Sequence, residues 1–157
     1  MGSVIDIAFH QGDLIVLLRL LIAALTGAVI GWNRFRAGKP AVVGTHALVA
    51  LGSALFVLIA IQMSPGHSND AFTRVVQGIA TGVGFLGAGE IFRDAGTSNR
   101  VHGLTSAAAL WVTAALGIVA GCGSGVLIAS ATALVLLVIV LSPRLERRFP
   151  SKAREER

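Results

Sequence analysis

The sequence predicts an all-α polytopic membrane protein, a bundle of five transmembrane helices with its N-terminus outside the cell and its C-terminus in the cytoplasm. Composition is the first reason: 54% of the 157 residues are hydrophobic, a further 19 are glycine, and only 13% are charged, which is about half the charged share of a soluble domain. The mean hydropathy is +0.78. In addition, the apolar residues fall in runs long enough to cross a bilayer, and the basic residues gather between alternate runs.

Five apolar runs are predicted to be the spans, at residues 14–32, 42–63, 72–92, 104–120 and 122–141. Each has about 20 residues, which at 1.5 Å per residue cross a hydrocarbon layer of roughly 30 Å. We expect helices because an open sheet would leave backbone groups unpaired in lipid. The last two runs are almost continuous. They are divided at the glycine-rich segment 121–125, since a single helix of their joint length is too long for a bilayer.

The basic residues predict the orientation. Eleven of the 13 lysines and arginines, Arg34 among them, follow the first, third and fifth spans, and the positive-inside rule places them in the cytoplasm. Residues 1–13 have two aspartates and no basic residue, so we predict an extracytoplasmic segment and not a signal peptide. Residues 143–157 are a basic cytoplasmic tail that lies on anionic lipid or stays solvated. Because topology accounts for the net charge of +5, no nucleic-acid partner is predicted.

Small residues at helical spacing predict close contacts between helices, because lipid offers helices little other reason to associate. The third span has five glycines, so it either packs very closely or is broken at membrane depth, as in transporters. The predicted packing residues are Gly27, Gly31, Gly78, Gly82, Gly84, Gly87, Gly89, Gly121 and Gly125.

Two stripes of polar residues are predicted within the spans, where polar groups are costly and usually face the protein interior. At about 100° per residue, each stripe falls on one helix face. The stripes either line a shared cavity or form hydrogen bonds that hold the bundle together, and Asp70 can pair with Arg74 one turn later. They consist of Arg19, Thr26 and Asn33 on the first span and of Asp70, Arg74, Gln77 and Thr81 on the third.

Glu90, near the end of the third span, is a separate candidate site. Its carboxylate can bind a cation or a proton, or it can pair with Arg93. Mg²⁺ prefers oxygen ligands and keeps several waters, so one or two carboxylates would suffice. His46 and His102 are weaker metal candidates, since no pattern of carboxylates accompanies them. The sequence has no nucleophile–base motif, P-loop or HExxH motif, so neither an enzyme nor a cofactor is predicted, and Mg²⁺ is the one candidate ligand.

Two long motifs carry a family resemblance. Residues 82–89 read GVGFLGAG, and residues 103–111 read GLTSAAALW, with AALG following at 114–117. Asp70, Arg74 and Gln77 precede the first motif, while residues 39–41 and 45–46 match a first cytoplasmic loop. Together these features resemble the MgtC/SapB family of bacterial inner-membrane proteins, over about residues 17–125.

The resemblance implies an inner-membrane protein with a role in growth at low magnesium, or in virulence and survival inside host cells. Inhibition of the F-type ATP synthase is proposed for part of the family. Asn33 stands where the family usually has an acidic residue, and Glu90 stands where it usually has an aliphatic one. Some relatives also have an ACT-like C-terminal domain, and we do not expect this domain at the end of this sequence.

Two functional hypotheses follow. In the first, the protein is a regulator, surrounded by membrane lipids, that acts by binding another membrane complex such as the ATP synthase. The resemblance and the small-residue faces favour it. In the second, the protein is a transporter or channel for Mg²⁺ or H⁺ that uses the polar stripes and Glu90. Five helices leave little room for a pore, so the second hypothesis predicts a homo-oligomer.

Overall fold

Five α-helices form the framework, as the sequence predicts. The computed structural model describes residues 11–38, 43–63, 69–93 and 101–148, so most of the extracytoplasmic segment and the end of the tail lie outside the described residues. Two short strands, β1 (Phe92–Arg93) and β2 (Val101–His102), pair antiparallel between the third and fourth helices. The helices are α1 (Gln11–Arg36), α2 (Val43–Met63), α3 (Asn69–Glu90), α4 (Leu104–Cys122) and α5 (Gly125–Arg148).

Four of these helices, α1, α2, α4 and α5, are long and apolar enough to cross a membrane. Helix α3 has a comparable length of 22 residues, but it is less apolar because it carries Asp70, Arg74, Gln77 and Glu90. The prediction of an all-α fold is therefore confirmed, with four helices that could span a membrane. The crossing of the membrane by all five helices and the orientation stay predictions.

Several helix boundaries differ from the predicted spans. Helix α1 continues to Arg36, so Asn33 and Arg34 are helical and do not lie in the loop expected after residue 32. Helix α5 continues through Pro143 into the segment predicted as tail. Phe92, predicted to end the third span, belongs to β1. Hydropathy indicates where a segment leaves lipid, but the backbone can stay hydrogen-bonded as a helix beyond that point.

The division between the last two runs is confirmed. Helix α4 ends at Cys122, and Gly123 follows with a φ of 81°, a left-handed conformation that glycine adopts without steric cost. The N–H of Gly123 donates to the carbonyl oxygen of Ala120 at 3.0 Å, which satisfies one of the terminal carbonyls of α4. The chain can therefore reverse and begin α5 at Gly125.

Helix α4 lies at the centre of the described bundle and contacts the other four helices. Leu110 and Leu116 belong to its buried face. Gly117 marks a close crossing with α2, because a Cβ there would collide with the carbonyl oxygen of Ala50. Helix α3 packs against α2 and α4 through residues that include Ile79. The other side of α3 is exposed in this chain.

Candidate functional site

A buried polar cluster lies where the ends of α1 and α3 meet the start of α4. Arg34 is only 3% exposed, and its Nη2 donates a hydrogen bond to Oγ of Ser106 at 2.9 Å. Glu90, the last residue of α3, interacts electrostatically with Arg34. Nε of Arg34 and Oε2 of Glu90 are both buried, yet neither has a hydrogen-bond partner among the described residues. The cluster thus contains one hydrogen bond, from Arg34 to Ser106, and two buried atoms without a described partner, the donor Nε of Arg34 and the acceptor Oε2 of Glu90.

Glycines position the members of this cluster. Gly31 brings α1 against α2, since a Cβ there would lie 2.7 Å from Cα of Val43, and Arg34 follows three residues later on the same helix face. Gly103 precedes α4 with a φ of 89°, and a Cβ there would collide with the carbonyl oxygen of Glu90. A residue with a side chain at position 103 would therefore push the ends of α3 and α4 apart.

The sequence patterns alone did not identify this cluster. From the sequence, Arg34 is a charge in a cytoplasmic loop, and Ser106 is only part of a motif. The available signal was the spacing of Gly27, Gly31 and Arg34, which places them on one face of a helix that continues past residue 32. Glu90 was a candidate, but the nearby positive charge in the described structure is Arg34. The side chain of Arg93, the predicted alternative, lies outside the described residues.

Within the predicted stripe on the first span, Arg19 makes a contact between helices. Nη1 of Arg19 donates to the carbonyl oxygen of Gly121 at 3.0 Å, at the C-terminal end of α4, where the helix dipole carries partial negative charge. The guanidinium also fills the space beside Gly123, where a Cβ would lie 2.6 Å from Nη2. Thr26 is buried and Asn33 is half-buried. Arg19 thus joins the start of α1 to the turn between α4 and α5.

The predicted stripe on α3 faces away from the bundle. Asp70, Arg74, Gln77 and Thr81 are all exposed, and the structure shows no ion pair between Asp70 and Arg74 in its described part. Oγ1 of Thr81 donates to the carbonyl oxygen of Gln77 at 2.8 Å, within the same helix. The two stripes therefore do not line a common cavity in this chain, because one contacts α4 and the other points outward.

The predicted packing glycines divide into two groups. In the first group, an added Cβ would meet another helix. At Gly27 it would collide with the carbonyl oxygen of His46, a fully buried residue. At Gly121 it would lie 3.0 Å from Val57, and at Gly87 it would lie 3.5 Å from Ala107. The second group has nothing within 4 Å of the added Cβ in the described structure. It consists of Gly78, Gly82, Gly84, Gly89 and Gly125.

Helix α3 runs unbroken from Asn69 to Glu90, so it is not the broken helix that its glycines could indicate. Within the described chain Gly87 packs near Ala107, whereas an added Cβ at the other four glycines of α3 would have nothing within 4 Å. Periodicity reveals that small residues share a face, but it does not reveal whether the same chain supplies a helix to cover that face.

An apolar groove of about 560 Å³ opens between α2 and α3. Leu48, Phe56 and Leu86 are among the side chains that line it. Gly52 and Gly78 are also part of its lining, and neither has an atom within 4 Å of an added Cβ in the described structure. The glycines thus leave backbone exposed in the groove, and its chemistry suits an apolar occupant and not an ion.

The electrostatics of the buried cluster disfavour a cation at Glu90. A positive ion there would be repelled by Arg34, whose guanidinium stays protonated in proteins. Among the described residues, no group of three or more His, Cys, Asp or Glu side chains could hold a metal. The arrangement is suited to hold three helix ends together through charge and hydrogen bonding.

Comparison with known proteins agrees with the motifs. The MgtC family model matches residues 20–148. Protein SrpB of Synechococcus elongatus is 50% identical over 87% of this chain and 80% of its own length. "Putative magnesium transporter YhiD" of Escherichia coli is 37% identical over 87% of this chain and 64% of its own. Protein MgtC of Salmonella typhimurium is 39% identical over 80% of this chain.

The match covers 51% of the Salmonella protein, so this chain spans about half the length of that relative. No solved structure matches the chain. The match to the family model includes α2, α3, α4 and α5 entire and most of α1, and the resemblance inferred from the glycine motifs is thereby confirmed. The chain belongs to the MgtC family.

Proposed function

We propose that this chain is a non-enzymatic regulatory protein of the bacterial inner membrane, which acts by binding another membrane complex when magnesium is scarce. Family membership supports the link to magnesium, since one relative is named "Putative magnesium transporter YhiD" and others are named MgtC. The main structural support is that both arginines of α1 inside the bundle, Arg19 and Arg34, contact α4. These contacts stabilise the bundle and leave the face of α2 and α3 open for a partner.

We also propose that all five helices cross the membrane, with the N-terminus outside. The contacts at the helix ends support this topology. Arg19 joins the start of α1 to the end of α4, and Arg34 joins the end of α1 to the start of α4, so these helices are antiparallel. The end of α3 also meets the start of α4 at Gly103. Helix α3, at about 33 Å for 22 residues, is long enough to accompany α4 across the bilayer.

The α2–α3 groove is the proposed docking site for a transmembrane helix of the partner complex. Its lining is apolar, which suits a segment inside the bilayer. Gly52, Gly78 and Gly82 leave the backbone accessible, and close approach of backbones is the main source of attraction between helices in lipid. The F-type ATP synthase is the first partner to test, and a role in virulence would follow from control of that enzyme inside host cells.

Filling the groove tests this proposal. Gly78→Leu adds a side chain where the described chain has nothing within 4 Å, so the fold should be retained while the groove is blocked. Gly125→Leu is the matched control, since that glycine is also unobstructed but lies outside the groove. In cells that depend on the protein for growth at low magnesium, Gly78→Leu should abolish growth and crosslinking to the ATP synthase, and Gly125→Leu should retain both. Equal behaviour of the two variants would refute the groove as the docking site.

Cation transport is the second candidate, because the buried Oε2 of Glu90 accepts no hydrogen bond from the described residues and one relative is named "Putative magnesium transporter YhiD". The test is flux in proteoliposomes with dyes sensitive to Mg²⁺ and to pH. Flux above that of empty liposomes that falls in Glu90→Gln would support transport through this carboxylate. An inserted, folded protein without flux would leave the regulatory function as the better account.

A further inference from the structure

The outward side of α3 has a regular pattern that is unsuited to lipid. Alternating steps of four and three residues define a line along the helix, which we call the α3 seam. At about 100° per residue its members fall within about 80° of arc, on the side away from the residues that pack on α2 and α4. All are exposed, and none is aliphatic beyond alanine. The seam consists of Asp70, Arg74, Gln77, Thr81, Gly84 and Ala88.

The repeat of the seam is the one found where two helices wrap around each other. Steps of four and three average 3.5 residues, which keeps the same side chains facing a partner helix along a left-handed pair. The polar residues occupy the first half of the seam, and the small residues Gly84 and Ala88 occupy the second. A helix surface of this kind suits a partner helix better than lipid, because lipid cannot hydrogen-bond to Arg74 or Gln77.

We propose that the α3 seam is covered by α3 of a second copy of this chain, in a parallel pair around a two-fold axis normal to the membrane. The proposal rests on the proposed crossing of the membrane by α3. Two copies inserted in the same membrane have the same orientation, and closed symmetry then relates them by a two-fold axis. Each seam residue consequently lies at the same depth as its counterpart in the second copy.

The seam is complementary to itself. Asp70 and Arg74 have opposite charges and lie four residues apart, about 6 Å along the axis, so Arg74 of each copy can reach Asp70 of the other. The amide of Gln77 both donates and accepts hydrogen bonds, so two copies of Gln77 can pair across the axis. Gly84 has nothing within 4 Å of an added Cβ in the described structure, and it permits the backbones to approach closely.

A second copy on the seam does not compete for the α2–α3 groove. The groove is lined on α3 by residues that include Val75, Ile79 and Val83, which point to another side of the helix than Gln77 and Gly84. The pair of chains can therefore bind the proposed partner on its outer grooves. The self-association can also fail while docking in the groove succeeds, so the two proposals are tested independently.

Disulfide crosslinking in native membranes tests the pair. The sequence has one cysteine, Cys122, so Cys122→Ser provides a background free of cysteine. In this background Gly84→Cys and Ala88→Cys should each form a covalent dimer on oxidation, with a yield at least tenfold above Leu86→Cys on α3 and Leu134→Cys on α5, both of which are also exposed. Equal yields at all four positions, or none at 84 and 88, would overturn the proposal. A crosslink from 84 or 88 to a different protein would overturn it as well.

Exchanging the charged side chains at positions 70 and 74 gives a second readout, which a purely structural role of Asp70 and Arg74 within one chain would not produce. Asp70→Arg should reduce the crosslinking of Ala88→Cys at least fivefold, and adding Arg74→Asp should restore it, because the charges are then exchanged in both copies. Gln77→Leu should reduce the crosslinking, while Gln77→Asn should retain most of it. Failure of the double exchange to restore the dimer would contradict the pairing of Asp70 with Arg74.

A separate experiment measures whether α3 crosses the membrane. Ala71→Cys, in the first turn of α3, should react in intact cells with a maleimide that cannot cross the membrane. Labelling without crosslinks at 84 and 88 would overturn the seam but leave the topology and the groove intact. Absence of labelling in intact cells, with labelling after permeabilisation, would overturn both the crossing and the pair.

Discussion

Arg34 donates a hydrogen bond to Ser106 at 2.9 Å across 72 residues of sequence, and this contact joins the end of α1 to the first turn of α4. Both side chains are almost fully buried. A buried arginine is costly unless its donors are satisfied and its charge is balanced. Here Ser106 satisfies one donor, and Glu90 provides the nearby negative charge.

Removing the hydroxyl of Ser106 should destabilise the bundle. Ser106→Ala leaves Nη2 of Arg34 without this acceptor, and a buried unsatisfied donor costs about 1–3 kcal/mol, more for a charged group. Ser130→Ala is the matched control, because that hydroxyl is exposed and bonds only to carbonyls of its own helix. The measurement is thermal unfolding in detergent. An unfolding temperature for Ser106→Ala equal to that of the control would show that the hydrogen bond contributes nothing to stability.

Enlarging Gly27 should separate α1 from α2. Gly27→Ala places a methyl group against the backbone at His46, with the carbonyl carbon 2.8 Å away, and overpacking of this kind costs about 1–3 kcal/mol. Gly78→Ala, with nothing within 4 Å in the described structure, should instead be neutral or stabilising by up to about 1 kcal/mol through helix propensity. Unfolding in detergent measures both variants, and a stable Gly27→Ala protein would contradict the close crossing of α1 and α2.

The glycine before α4 should be needed for two separate reasons. Gly103→Ala combines a left-handed φ of 89° with a collision at the carbonyl oxygen of Glu90. Gly38→Ala is informative beside it, because Gly38 has a φ of 66° but nothing within 4 Å in the described structure. We expect Gly38→Ala to cost about 1 kcal/mol and Gly103→Ala to cost clearly more, as measured by the free energy of unfolding. A similar loss of unfolding free energy in the two variants would mean that the carbonyl oxygen of Glu90 does not restrict the side chain at position 103.

Neutralising Arg19 should weaken the end of α4. Arg19→Met keeps an unbranched apolar side chain but loses the hydrogen bond to Gly121 and the favourable charge at the helix C-terminus, a loss of about 1–3 kcal/mol. Arg36→Met removes a charge from an exposed position and serves as the control. Protease sensitivity at the turn between α4 and α5 should rise in Arg19→Met alone, and unchanged sensitivity would argue that the contact is dispensable.

Local features of the sequence were sufficient to predict the helical class, the strongly apolar segments, the break near Gly123 and the family. These properties are local: hydropathy depends on a run of about 20 residues, and a glycine-rich interruption or motif is visible within a few positions. The same local information misjudged the end of α1, because the helix continues past Trp32, the end of the predicted span, and packs Arg34 into a buried position.

Which face of each helix has a neighbour is known only from the packing of the helices in three dimensions. The glycines of α1 and α3 follow similar patterns, yet an added Cβ at Gly27 would collide with the backbone of α2, while an added Cβ at Gly78, Gly82 or Gly84 would have nothing within 4 Å in the described chain. In the same way, Arg19 and Arg74 are both arginines within helices, but only Arg19 meets a helix end. Periodicity fixes the direction of a side chain relative to its own helix axis. The order and crossing of the helices, which are long-range properties, decide what lies in that direction.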